Sequence, residues 1–162
     1  YRAQAAQELL ALNPTILRGN ASEIMGLGGQ ASAAKGVDAT DPVEAAEAGA
    51  MMLAKKHNSV VVITGETDFV TDGSHVARIS GGSEMMPMIT ALGCSLTCLM
   101  GGFAAVAPPM EAAATALALF AEAGSQAEKS ANGPGSFQPL FLDALHNTTP
   151  EMLKEAGCIT WQ

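Results

Sequence analysis

Residues 60–63 read Val-Val-Val-Ile, an unbroken run of β-branched side chains, and this run limits what the chain can fold into more than any other stretch. β-Branched residues favour extended backbone, and a continuous apolar run leaves no face fit for water, so the run predicts a strand buried on both faces in a parallel sheet. A parallel strand has to be reached by a crossover, and the preceding segment offers one. Asp41-Pro42-Val43-Glu44 combines an N-cap residue, proline at the first helical position and an acidic first turn, which predicts a helix running to about His57. Helix followed by buried strand points to an α/β domain.

The flanking segments extend this pattern. Residues 2–12 read as the end of a helix closed by Asn13-Pro14, and residues 15–17 as a short strand. Asn20 and Glu23 then stand at the spacing of a capping box and start a helix that ends in Gly26-Leu27-Gly28-Gly29. Beyond Thr64-Gly65-Glu66, residues 68–71 and 75–79 flank Asp72-Gly73, a pair that favours a tight β-hairpin. A loop over 80–88 leads to Thr90-Ala91-Leu92-Gly93-Cys94-Ser95, and helices follow over 95–106, 110 to about 130, and 137 to about 146, broken at Pro108-Pro109 and Asn132-Gly133-Pro134-Gly135. Only about four strands are legible, fewer than a doubly wound sheet with this much helix usually has. Residues 148–162 form a tail with no assigned role.

Composition narrows the function classes. With 162 residues the expectation is one domain, and with 48% hydrophobic but only 4% aromatic residues its core must be built from Ala, Val, Leu, Ile and Met. The formal net charge is -8, with no basic block, which argues against nucleic acid as a partner. Residues 96–110 are the most apolar stretch; they are shorter than the about 20 residues a bilayer needs and are interrupted by Gly101, Gly102, Pro108 and Pro109, so no membrane segment is expected. No signal peptide is apparent, and an odd number of cysteines, Cys94, Cys98 and Cys158, at no disulfide spacing points to a reducing, cytoplasmic setting.

Several chemistries are absent from the sequence. There is no P-loop, and Gly26, Gly28 and Gly29 follow a helix where a dinucleotide fingerprint would follow a strand. His57, His75 and His146 are far apart and none pairs with a cysteine at zinc-ligand spacing. What remains is the Gly93-Cys94 stretch. The start of a helix offers unpaired N–H groups and the positive end of the helix dipole, which suits phosphate and favours a thiolate. The same residues also fit an ordinary apolar helix with a small buried cysteine, and Cys98, one turn on, fits helix packing. A hydrolase with Cys94 as nucleophile would need a His or Asn partner that the sequence does not place.

Longer motifs carry a resemblance. Asn13-Pro14-Thr15-Ile16-Leu17-Arg18-Gly19-Asn20-Ala21-Ser22-Glu23-Ile24, then Lys35-Gly36-Val37-Asp38, Val62-Ile63-Thr64-Gly65-Glu66 and Val70-Thr71-Asp72-Gly73, resemble the hydroxyethylthiazole kinase family in order and spacing. The Gly93-Cys94 loop resembles that family's catalytic loop, and Gly133-Pro134-Gly135-Ser136-Phe137 a motif near its C-terminus. The resemblance implies a ribokinase-like three-layer α/β/α sandwich, a homotrimer, and transfer of the ATP γ-phosphoryl group to the primary alcohol of 5-(2-hydroxyethyl)-4-methylthiazole in thiamine biosynthesis or salvage. By matching position it implies that Arg18, Thr64 and Gly93 contact ATP, Glu23 serves Mg2+, Ala91 lies at the thiazole site and Cys94 is catalytic, beside the reacting hydroxyl. Read from the residues alone, Arg18 is also a plain surface charge at a strand end and Glu23 also the partner of Asn20 in the capping box.

The chain departs from the family pattern in two ways. Where the family commonly has Gly-Thr-Gly-Cys, this chain has Ala91-Leu92-Gly93-Cys94. Ala91 fits if its backbone lies in an ordinary region, whereas Leu92 deletes a hydroxyl and adds bulk near the phosphate path, so a catalytically impaired or non-catalytic remnant that binds nucleotide or a partner subunit is the alternative expectation. The matching region also corresponds to roughly the last three fifths of a family member, so residues 1–162 are expected to be one kinase domain that is incomplete at its N-terminus. The remaining front would supply part of the sheet, a substrate-contacting Met and a further acidic residue for the metal.

Overall fold

In the computed structural model residues 2–29 and 42–162 are described; Lys35-Gly36-Val37-Asp38 and the N-cap Asp41 lie outside the described residues. The apolar run is a strand, β2 (Val60–Thr64), whose Val61 and Val62 are completely buried at 0% exposure although they point to opposite faces. Its two neighbours run in different directions. β1 (Ile16–Asn20) is parallel, with Ile16 opposite Val60 and Asn20 opposite Thr64, whereas β3 (Asp68–Thr71) is antiparallel, with Val62 opposite Val70. The expected parallel sheet is therefore mixed: the connection from β2 to β3 is only Gly65-Glu66-Thr67, and a parallel return needs about a dozen residues. With β4 (Val76–Ile79) and β5 (Ile159–Trp161) the strand order is β1-β2-β3-β4-β5.

The chain forms two compact units, one of residues 1–77 with 161–162 and the other of residues 78–160. In the first, α1 (Arg2–Leu10) contributes Leu10 to the core, and β1 runs on through Arg18 to Asn20 before turning directly into α2 (Ala21–Leu27). Gly19 permits this junction. A Cβ there would stand 3.1 Å from Glu23 Cβ and 3.2 Å from Ile24 Cδ1. The predicted capping box is complete: the Glu23 N–H donates to Asn20 Oδ1 at 2.9 Å and the Asn20 N–H to Glu23 Oε2 at 2.9 Å. α3 (Pro42–His57) presents Ala46, Ala50, Leu53 and Ala54, a helical stripe, to Ile24, Val61, Ile63 and Phe69.

The hairpin between β3 and β4 uses a four-residue connection, Asp72-Gly73-Ser74-His75, in place of a two-residue turn. Asp72 organises it. Its Oδ1 accepts from the Ser74 N–H at 2.7 Å and the His75 N–H at 2.8 Å, and its Oδ2 lies 2.8 Å from the His75 ring Nδ1. Gly73 has φ +91°, and a Cβ there would lie 2.5 Å from Lys55 Cγ and 3.0 Å from the Met51 carbonyl oxygen of α3. The turn thus seats on the helix through the missing side chain.

In the second unit, the loop after β4 is strapped to α5 (Pro109–Glu128). The Gly82 N–H donates to Ser125 Oγ at 3.1 Å, the Ser125 hydroxyl donates back to the Gly82 carbonyl at 3.1 Å, and Ser83 donates to Glu128 at 2.9 Å. Gly124 leaves space for Met86, whose Sδ would be 2.6 Å from a Cβ at that position. α5 buries Ala112, Ala113, Ala114, Ala116, Ala118 and Ala123, and small side chains on several faces let α4 (Leu92–Ala104) and α6 (Pro134–Asn147) pack closely on it. The scarce aromatics are concentrated here, with Phe120 edge-on to Phe141 at 5.1 Å and Phe137 stacked on Phe141 at 5.8 Å. Residues 148–162 hold α7 (Pro150–Ala156), capped by Thr149, and then β5.

Gly73→Ala is expected to cost about 2–4 kcal/mol, because it adds both a left-handed strain and a clash with α3. Urea unfolding reads this as a lower midpoint at unchanged slope. A variant as stable as the wild type would contradict the close seat on Lys55.

Candidate active site

The ends of β1 and β2 bring two of the expected ATP contacts together. Because the strands are parallel and in register, Arg18 and Thr64 emerge on neighbouring strands, and Arg18 Nη1 donates to Thr64 Oγ1 at 3.4 Å. Thr64 Oγ1 in turn donates to the Gly19 carbonyl at 3.4 Å. Both contacts are long. Arg18 is half-buried and its Nε is enclosed with no hydrogen-bond partner, so the guanidinium is held in place while donors remain unspent.

Asp68, which sequence reasoning missed, sits at the start of β3 beside this pair. Its Oδ1 accepts the Gly65 N–H at 3.0 Å, closing the turn that follows Thr64. Burial pushes its carboxyl up from 3.8 to about 6, and the Gly65 hydrogen bond and the Arg18 charge offset only part of that cost. The short connection Gly65-Glu66-Thr67, which returns Asp68 to the end of β2, was the signal that could have marked it.

Glu23 is exposed at the junction between β1 and α2, and one oxygen, Oε2, closes the capping box. No group of three or more His, Cys, Asp or Glu residues is placed to hold a metal ion among the described residues. Magnesium is commonly held by one or two carboxylates together with substrate phosphates, so a single exposed carboxylate fits a shared or water-mediated role and not a protein cage.

In the second unit, Ala91, Gly93 and Cys94 form the start of α4. Ala91 is the N-cap at φ 65°, ψ 7°, so the condition under which Ala would fit there without cost is not met: an L side chain occupies the left-handed region at about 1–2 kcal/mol, where a glycine would have no such cost. No side chain caps the helix, and its first backbone bond runs from the Ser95 N–H to the Ala91 carbonyl at 3.0 Å. The N–H groups of Leu92, Gly93 and Cys94 precede that bond and form the positive end of a 13-residue helix.

Cys94 is exposed, which removes the reading of it as a small buried cysteine. Cys98 is exposed as well, against its expected role in packing. The buried face of α4 belongs to Leu96 and Met100, whose larger apolar side chains repeat at the same four-residue spacing half a turn away. Arg18, Glu23, Thr64 and Asp68 thus belong to the first unit, and Ala91, Gly93 and Cys94 to the second.

The Asp68 shift has a sign that can be measured. Between about pH 4 and 6 the folded chain holds a proton that the unfolded chain has lost, so stability falls as pH rises through that window and ionised Asp68 is a net cost at pH 7. Asn keeps the acceptor for Gly65 without the charge. Asp68→Asn is therefore expected to be more stable than the wild type at pH 7 and no more stable below about pH 4, as read by urea midpoints. A variant that is less stable at pH 7 would contradict the burial cost.

Comparison with known proteins places these motifs in one lineage. Residues 1–151 match the Hydroxyethylthiazole kinase family. A curated hydroxyethylthiazole kinase of Gemmatimonas aurantiaca is 58% identical over 161 residues, which is 99% of this chain and 58% of the relative. One from Roseobacter denitrificans is 57% identical over 150 residues, 93% of this chain and 58% of the relative. The solved hydroxyethylthiazole kinase protein of Pyrococcus horikoshii OT3 superposes with a TM-score of 0.88 at 28% identity, covering 99% of this chain and 60% of that one. The chain spans about 58% of the length of these curated relatives. It belongs to the hydroxyethylthiazole kinase family and has that family's α/β fold.

Proposed function

We propose that the protein transfers the γ-phosphoryl group of ATP to the primary alcohol of 5-(2-hydroxyethyl)-4-methylthiazole, a step of thiamine biosynthesis or salvage. The observation that carries this reading is the 58% identity to the Gemmatimonas hydroxyethylthiazole kinase across nearly the whole chain. In this reading the alcohol oxygen forms the new bond to the γ-phosphorus, the bond to ADP breaks, and the hydroxyl proton leaves to Cys94 or to water. Phosphoryl transfer depends on positioning and charge stabilisation more than on a strong base. Arg18, Thr64 and Gly93 take ATP, with the free N–H groups at the start of α4 suited to charge growing on phosphate oxygens. Ala91 lines the thiazole site. Glu23 serves Mg2+, which would neutralise phosphate charge, and its exposed carboxylate supports that role.

The same reading extends to a homotrimer in the cytoplasm. The cytoplasmic setting is supported by free Cys94, Cys98 and Cys158. Among the described residues no helix is long and apolar enough to cross a membrane.

A second reading, an impaired or non-catalytic remnant, is favoured by Leu92 and by Ala91 in a left-handed conformation at the start of α4. One assay separates the two. ADP release by the whole protein is expected only when ATP, magnesium and the thiazole alcohol are all present; the absence of alcohol-dependent ADP release contradicts the kinase reading. If Leu92 limits the rate, Leu92→Thr should raise kcat by about tenfold or more, the scale of one added transition-state hydrogen bond.

A further inference from the structure

Thr64 and Glu23 sit on opposite sides of one peptide group. The Gly19 carbonyl accepts the Thr64 hydroxyl at 3.4 Å, and the N–H of the same peptide, on Asn20, donates to Glu23 Oε2 at 2.9 Å. The peptide is trans, so its C=O and N–H point in opposite directions and keep the two side chains apart across its plane. The peptide itself is held by the sheet. Gly19 is buried and lies opposite Ile63, and Asn20 lies opposite Thr64, in the ladder between β1 and β2.

The missing side chain of residue 19 is what lets the carboxylate reach this peptide. Gly19 has no positive φ, so glycine is not required there for backbone conformation. It is required for space. A Cβ would stand 3.2 Å from Glu23 Oε2, 3.1 Å from Glu23 Cβ and 3.2 Å from Ile24 Cδ1. Ile24 is completely buried and Glu23 Cβ is fixed to α2, so the exposed carboxylate is the group that would give way. As the chain stands, Oε2 is committed to the Asn20 N–H, and the capping box makes no demand on the second oxygen, Oε1.

We propose that Gly19 is a positioning residue for the metal carboxylate: its lack of a side chain lets Glu23 close on the peptide between Gly19 and Asn20, which sets the place of Glu23 relative to Thr64. This rests on the kinase reading, in which Thr64 contacts ATP and Glu23 serves Mg2+. An ion held by one carboxylate together with nucleotide phosphates needs both within its reach at once, so the spacing between Glu23 and the nucleotide contact decides whether the carboxylate takes part.

The test is calorimetric titration of ATP into the whole protein with and without MgCl2, alongside urea unfolding. In the wild type Mg2+ is expected to tighten ATP binding. In Gly19→Ala that gain should fall by about tenfold or more, the scale on which residues supporting a metal ligand act, while metal-free ATP affinity stays within about threefold because the ladder keeps Arg18 and Thr64 in place. Glu23→Gln keeps both bonds of the capping box without the charge, so it should lose the same gain at an unchanged urea midpoint. Should Gly19→Ala fail to fold, the double variant with Ile24→Val removes the Cδ1 contact and leaves the clash with Glu23, and it should lose the gain as well. A wild-type Mg2+ gain in the folded Ala variant would overturn the proposal. An equal loss of metal-free affinity would overturn it too, since Gly19 would then only hold the fold. No Mg2+ gain in the wild type, or a wild-type gain in Glu23→Gln, would take Glu23 off the metal and overturn the proposal while ATP binding still supported the kinase reading. Wild-type protein that binds no ATP would instead overturn the kinase reading, and the proposal with it.

Discussion

The register of β1 against β2 is the constraint on which the first unit depends. Arg18 lies opposite Val62 and Asn20 opposite Thr64, so the two strands end level and their last side chains share one edge. A slip of β1 by one residue would turn Arg18 to the other face and carry Leu17 away from the core with it. The register is therefore fixed by apolar burial, and the polar group at the strand ends inherits its geometry. The capping box then uses Asn20, the last residue of β1, and Gly19 keeps the strand-to-helix junction too tight for a side chain.

Charge is sparse in this chain, which makes each buried or half-buried ion informative. Eight Lys and Arg residues face sixteen Asp and Glu residues, yet Arg18 is held half-buried with an unpaired Nε. Neither feature favours stability by itself, and Asp68 beside it is ionised only at a cost. Such local losses are the usual mark of a site that binds something. The second unit shows a similar tension at Ala91, an N-cap whose L side chain sits in the left-handed region.

Much of this was legible in the sequence, for physical reasons. A run of β-branched residues has few options, and Val60–Thr64 took the buried strand expected of it. The Asn20 and Glu23 spacing encodes a local pair of hydrogen bonds that needs no tertiary information, and both formed. The family motifs located Arg18 and Thr64, though only the strand pairing shows them in contact. Other features were set by tertiary context. The direction of β3 followed from a connection of three residues, which could have been weighed, while β5 is Ile-Thr-Trp, too short to signal itself. Cys98 lost its place in the core to Leu96 and Met100, a competition that a helical pattern in such an apolar segment does not decide. Asp68 entered the sequence reading only as the start of a strand, because nothing local marks the burial that pushes its carboxyl up.

The claim that the β1 and β2 ends receive the nucleotide stands or falls on Arg18. Calorimetric titration of ATP into the whole protein and its Arg18→Ala variant measures this directly. The account predicts a loss of affinity of at least about tenfold in the variant, the scale of a guanidinium–phosphate contact. Equal affinity in the two proteins would contradict it and would move the nucleotide elsewhere.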